Sequence, residues 1–291
     1  MTLATLVPLV LKLSIALCVF AIGLKATFSD AFCLFRRPGQ LLRAILSMNV
    51  VMPLFAVFLS LTFDLPAPVK IALVALSISP IPPILPNKAL KAGGREDYTI
   101  GLLVATALLS VIFVPLAMKL FEGAAGVPLQ MRTRNVAALV LSSVLVPLLL
   151  GIAVRRVAGA FADRAAKPIA LVALVLLIIP LLPILFTSVR AILTLVGDGT
   201  LLALAAFAIV GLIAGHLLGG PTPENRPVLA LATSARHPAV ALAIAHANFP
   251  NQKLVGALVL IHLLLSAILA IPYLNWIKRT HSPGTTKQVE A

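Results

Sequence analysis

Apolar residues along this chain neither alternate nor follow a single helical stripe; they run together. Stretches dominated by Leu, Val, Ile and Ala occupy 4–24, 41–62, 69–93, 98–120, 135–154, 169–188, 199–219, 228–249 and 254–276. Each approaches or exceeds the roughly 18 to 20 apolar residues that a helix needs to cross a hydrocarbon core. A closed barrel would show strand alternation with a polar lumen, which is missing, so the spans are expected to be helices. The pattern predicts an all-α integral membrane protein of nine transmembrane helices, with its termini on opposite sides.

Polar and proline positions then single out two of the spans. The third contains SISPIPPILPNKALKAGG (77–94), in which Pro80, Pro82, Pro83 and Pro86 are followed at once by Asn87 and Lys88. Proline inside a helix removes a backbone donor and clashes with the preceding turn. Hydrocarbon offers no water to the carbonyls so freed, and such a break is expected only where protein lines a cavity. The eighth span breaks around Arg236–Pro238. The second halves of both spans, starting near Pro86–Asn87 and Pro238, would bring two positive helix ends together near the midplane, where an anion is the natural guest. Pro53, Pro115, Pro147 and Pro180 read as simple kinks.

The two broken spans are also copies of one another. PVKIALVALSISP (68–80) matches PVLALATSARHP (227–238), and Gly101, Ser110 and Pro115 answer Gly256, Ser266 and Pro272. Span three maps onto span eight, five crossings away, so the copies run in opposite directions. This is the inverted repeat typical of secondary transporters. It divides the chain into a first repeat at 1–121, a second at 135–277 and a polar tail at 278–291 that is expected to be disordered.

Composition agrees and adds an orientation. The chain is 60% apolar and 11% charged with a mean hydropathy of +1.10, against about 25% charged residues in soluble domains. A net charge of +14 raises the question of nucleic acid, but the basic residues are spread between spans and not clustered with aromatics on one face. They are asymmetric instead: fourteen lie on the side reached by the C-terminus and six on the other. By the positive-inside rule the C-terminus is cytoplasmic and the N-terminus outside, in the inner membrane of a cell. No cleaved leader is expected, because Lys12 interrupts a first apolar run long enough to span. Cys18 and Cys33 suggest neither a disulfide nor a ligand set. No nucleophile with a base, metal-ligand pair or nucleotide loop is visible, so neither an enzyme nor a cofactor is expected.

Three segments resemble the bile acid:sodium symporter family: AIGLKATFSDAF (21–32), SPIPPILPN (79–87) and ATSARHPAVALAIAHANF (232–249). The first is similar to the family's G-L-x-L-x-x-x-D-F segment. The second stands at its P-G-G-x-x-S-N break, and the third at its E-x-x-x-Q-N break. The resemblance covers essentially the whole chain. It implies a core domain of crossed broken helices beside a panel domain, in a nine-helix form that lacks the first helix of ten-helix members. It also exposes departures. The family's sodium ligands fall on Pro86 instead of serine, Ala232 instead of the acid, Arg236 instead of glutamine and His237 instead of asparagine. Asn87 survives, followed by Lys88, and Asn49 lies close to the remaining amide ligand.

The expected function is therefore secondary transport of an organic anion, a carboxylate, by alternating access. The partners are that small molecule and the lipid bilayer. Lys88 and Arg236 are expected to replace sodium as ion-coupling groups, with Asn87, Lys88, Arg236, His237, His262 and Asn49 around the substrate. Coupling is left open between protons, exchange and none, and Lys88 snorkelling to the cytoplasmic face is the plainer alternative for that residue. An anion channel, or a non-transporting sensor that reuses the fold, is the competing function. Lys12 either lines the cavity or snorkels. Thr99, Thr106 and Ser110 read as interhelical hydrogen-bonding groups, and Asp64, Asp97, Asp163 and Glu224 as solvated charge. His246 is not expected to hold a metal.

Overall fold

The structure is a computed structural model, and it describes residues 3–82, 85–91, 93–125, 138, 141–195, 199–252 and 254–281. Among the described residues every regular element is helical. In chain order these are α1 (Leu3–Gly23), α2 (Phe28–Ala31), α3 (Pro38–Ile45), α4 (Met52–Thr62), α5 (Ala67–Ile78), α6 (Leu85–Lys91) and α7 (Glu96–Ala125). There follow α8 (Val146–Val157), α9 (Gly159–Leu195), α10 (Thr200–Leu218), α11 (Asn225–Ser234), α12 (Pro238–Asn248) and α13 (Leu254–His281). Two wide π turns, Leu46–Val51 and Leu141–Leu145, run directly into α4 and α8. Among the described residues, four helical stretches are long and apolar enough to cross a membrane: Pro38–Thr62, Glu96–Phe121, Thr200–Leu218 and Leu254–Thr280. Such a chain is a multi-pass helical membrane protein.

Several expectations are corrected. Helix α9 begins at Gly159, ten residues before the predicted span, because hydropathy sees only its apolar part. Its first turns carry Asp163, Arg164 and Lys167 and still form helix on alanine-rich sequence. Helix α13 continues to His281, into the segment expected as a disordered tail; residues 282–291 lie outside the described residues. Among the described residues, Thr99, Thr106 and Ser110 make no hydrogen bond to another helix. Their hydroxyls donate to carbonyls of their own helix turn, those of Arg95, Leu102 and Ala107. Lys12 is exposed and lines no interior surface.

Asp97 is not the solvated charge it looks like. At the start of α7 it accepts from Arg95 Nη2 at 2.6 Å and Nε at 3.0 Å, and from the Tyr98 backbone N–H at 2.8 Å. Cys33 Sγ donates to it at 3.4 Å, and Arg37 Nη1 lies 3.3 Å away. The turn after α2 is thereby tied to α7, whose Gly101 lets the two backbones approach. Burial and the Asp97 charge both push the Cys33 thiol up from its ordinary value. Because the thiolate is the reactive form, Asp97→Asn in a Cys18→Ser background should speed maleimide labelling of Cys33 several-fold. An unchanged rate would show that Asp97 does not govern this thiol.

Glycines set the tightest helix contacts. Gly23 of α1 and Gly151 of α8 meet backbone to backbone, and α1 packs on both α8 and α9. Gly211 and Gly215 on α10 and Gly219 just past its end, one turn apart, form a groove for α11. A Cβ on Gly211 would sit 2.6 Å from the Ser234 Cα, and one on Gly215 would strike the Leu229 carbonyl and the Ala230 backbone. The two interrupted helices pair crosswise, α5 with α12 and α6 with α11, while α13 covers α5, α10 and α12.

Candidate functional site

The interruption at α5 follows from missing donors. The helical partners of the Leu76, Ile78 and Ser79 carbonyls would be residues 80, 82 and 83, and all three are prolines without an N–H. The helix stops at Ile78 and Ser79 turns extended, at φ −76° and ψ 146°. Its partner helix α11 stops at Ser234, Ala235 and His237 are extended, and α12 restarts at Pro238.

Two carbonyls at this break, Ser79's, freed by proline, and Pro80's just after it, are taken by the other break. Arg236 Nη1 donates to the Ser79 carbonyl at 3.1 Å, and the His237 backbone N–H donates to the Pro80 carbonyl at 2.8 Å. Arg236 Nη2 reaches the Met48 carbonyl in the first π turn, at 2.9 Å. Beside it, Ser47 Oγ and Thr233 Oγ1 share a hydrogen bond of 2.7 Å. The guanidinium therefore ties three elements together. It lies against the C-terminal end of α5, where helix carbonyls carry partial negative charge.

Arg236 is only 3% exposed, and among the described residues no carboxylate pairs with it. An unpaired buried charge is costly, and the neighbouring polar groups do not neutralise it. His262 of α13 donates from Nε2 to the Ser234 carbonyl at 3.1 Å, which fixes the tautomer because a carbonyl only accepts. Its ring meets Phe207 edge-on, centroids 5.4 Å apart. Among the described residues, five buried polar atoms around this break have no hydrogen-bond partner: Arg236 Nε, both His237 ring nitrogens, His262 Nδ1 and Ser234 Oγ. Native proteins leave few such atoms unpaired, and a cluster of them calls for a guest or ordered water.

The predicted residues divide. Arg236, His237 and His262 come together at the α11–α12 break, all buried. Asn49 is half-buried in the π turn, adjacent to the Met48 carbonyl. Lys88 is half-buried on α6, and among the described residues it makes no hydrogen bond or ion pair. Asn87 lies on α6, and its side chain is outside the described residues. His246 is exposed near the end of α12. Ser47, Met48, Ser79, Thr233 and Ser234 were not among the predicted site residues. For Ser79 a signal exists, since the proline four residues later deletes the donor for its carbonyl.

Two buried carbonyls at the break, those of Ser79 and Met48, are already occupied by the Arg236 guanidinium. The hydroxyls of Ser77, Ser79, Thr99, Thr106 and Ser110 are turned onto carbonyls of their own helices. The family model of the Sodium Bile acid symporter family matches residues 12–195 of this chain. No curated protein matches it.

Proposed function

Since the chain belongs to the sodium bile acid symporter family, a family of membrane transporters, we propose that it carries an organic anion without a sodium ion, with Arg236 in the place of that ion. The observation that carries this reading is the buried guanidinium, without a carboxylate partner among the described residues, beside four polar atoms of His237, His262 and Ser234 that likewise have no partner there. An anion entering the break supplies the missing counter-charge. His237 is the residue preceding α12, and its side chain makes no cap bond to the amides of that helix start. Carboxylates suit such a place, since helix N-termini favour negative charge.

In this reading the nine apolar stretches are nine crossings arranged as an inverted repeat. Core and panel groups of helices move against one another, and the C-terminus is cytoplasmic in the inner membrane. A built-in cation holds the crossing together in every state of the cycle, whereas a free ion would come and go. The coupling partner is then a proton, a second anion, or none.

Two measurements test this. The thermal unfolding midpoint of the purified protein should be the same in sodium and in potassium chloride at equal ionic strength. A rise confined to sodium would reveal a metal cage and defeat the reading. In proteoliposomes, labelled carboxylates should show saturable counterflow; ohmic current at high throughput would identify an anion channel instead. A pH gradient imposed without internal anion then separates proton coupling from exchange.

A further inference from the structure

Proline accounts for one acceptor of Arg236, the Ser79 carbonyl, and the geometry points to a second proline behind the other. We infer that Pro53 is a positioning residue for the Arg236 guanidinium: by withholding an N–H it leaves the Met48 carbonyl open to Nη2. This rests on reading Arg236 as the fixed cation of the transporter and goes beyond it by assigning a role to a residue in another helix.

The chain from Pro38 to Thr62 is one continuous helical path of 25 residues, interrupted by the π turn at Leu46–Val51. In the i→i+5 register of a π turn, the Met48 carbonyl would look to residue 53 for its donor. That residue is proline. In the ordinary i→i+4 register Pro53 would be the partner of the Asn49 carbonyl, again without an N–H. Proline thus interrupts the ladder at the point where Met48 faces the α11–α12 break, and a wide turn next to a functional group is a recurrent use of π geometry. The Met48 side chain is buried, so water does not compete for its carbonyl. Arg236 Nη2 occupies it at 2.9 Å, and the adjacent Ser47–Thr233 hydroxyl pair keeps the π turn in register with α11.

The neighbouring π turn offers a comparison. Leu141–Leu145 also runs into a proline, Pro147, yet it packs against α1 and α7, away from the interrupted helices. A wide turn ahead of proline is therefore a local consequence of sequence in this protein. What distinguishes the first is that a cation has been placed on the carbonyl it exposes.

Pro53→Ala supplies the missing N–H and draws the Met48 carbonyl back to the helix axis. In the native background this should lower the thermal unfolding midpoint by a few degrees, although alanine is the better helix former, because Nη2 loses its acceptor. In an Arg236→Gln background the same substitution should raise the midpoint, because it pairs a carbonyl that the guanidinium no longer covers. This reversal of sign supports the inference, and a shift of the same sign in both backgrounds overturns it. Should Arg236→Gln not yield folded protein, Arg236→Lys, which keeps the charge and gives up the fork, is the second background with the same two outcomes. A midpoint for Pro53→Ala alone at or above the native value also overturns it. The cycle is read from unfolding, so it is independent of uptake: normal carboxylate uptake by Arg236→Gln would defeat the functional reading while leaving the positioning result intact.

Discussion

Arg236→Gln should cost the protein most of its saturable carboxylate uptake and a clear part of its stability. Two charge-assisted hydrogen bonds are lost, each worth about 1.5–3 kcal/mol, and glutamine can reach only one of the two carbonyls that Arg236 holds. Relief of the guanidinium's desolvation acts in the opposite direction. The net loss is about 3 kcal/mol, the two hydrogen bonds less the relief of desolvation. At about 2–4 °C per kcal/mol for chains approaching this size, the midpoint should fall by roughly 6–12 °C. Removing the counter-charge of the anion should weaken its binding about 100-fold, which corresponds to roughly 2.7 kcal/mol. The measurement is initial uptake into proteoliposomes over a range of carboxylate concentrations. Uptake near the native rate, with an unchanged midpoint, would remove Arg236 from the site altogether.

Gly215→Leu should prevent folding. At this glycine the axes of α10 and α11 are so close that even a Cβ would strike the Leu229 carbonyl and Ala230 backbone. Backbone atoms cannot turn aside as a side chain can. Overpacking costs typically about 1–3 kcal/mol where neighbours give way, and more where they do not, against a total stability of roughly 5–15 kcal/mol. The displacement would also move α11, and with it Ser234 and Arg236. The expected result is loss of the monodisperse peak on size exclusion in detergent. Gly39→Ala is the control, because a Cβ there meets nothing within 4 Å, and its profile should match the native one. A Gly215→Leu protein with a native profile would show that α10 and α11 are not held at this separation.

Much of the site was legible because proline leaves an unambiguous mark. The breaks at Ser79–Pro82 and Ala235–His237 lie where the prolines and the Arg236–Pro238 segment predict them. The burial of Arg236 follows from its place inside an apolar run. Its partners did not follow. A guanidinium nine residues into a span could have faced a carboxylate, a substrate or lipid headgroups, and nothing local distinguishes these. That two of its nitrogens go to backbone carbonyls of residues 79 and 48 depends on contacts 157 and 188 positions apart in the chain. Asp97 was misread for the same reason, because Cys33 and Arg37 reach it from across a turn that hydropathy treats as a simple connection.

Thr99, Thr106 and Ser110 show a different kind of miss. Hydroxyls in apolar helices can bond across to a neighbour or back to their own turn, and their spacing is the same in both cases. The packed neighbours decide: Ile100, Leu103 and Ala107 are fully buried among apolar side chains, so the adjacent hydroxyls have only their own carbonyls in reach.

Residue order alone settles that this chain belongs in a bilayer as helices, where two of them must come apart, and which carbonyls lose their donors there. Those are consequences of covalent structure and of the absence of water, and they act within a few residues. Which donor then meets those carbonyls was decided only by the crossing of α5 and α6 over α11 and α12, because an orphaned acceptor specifies a need for a hydrogen-bond donor and not the residue that will supply it.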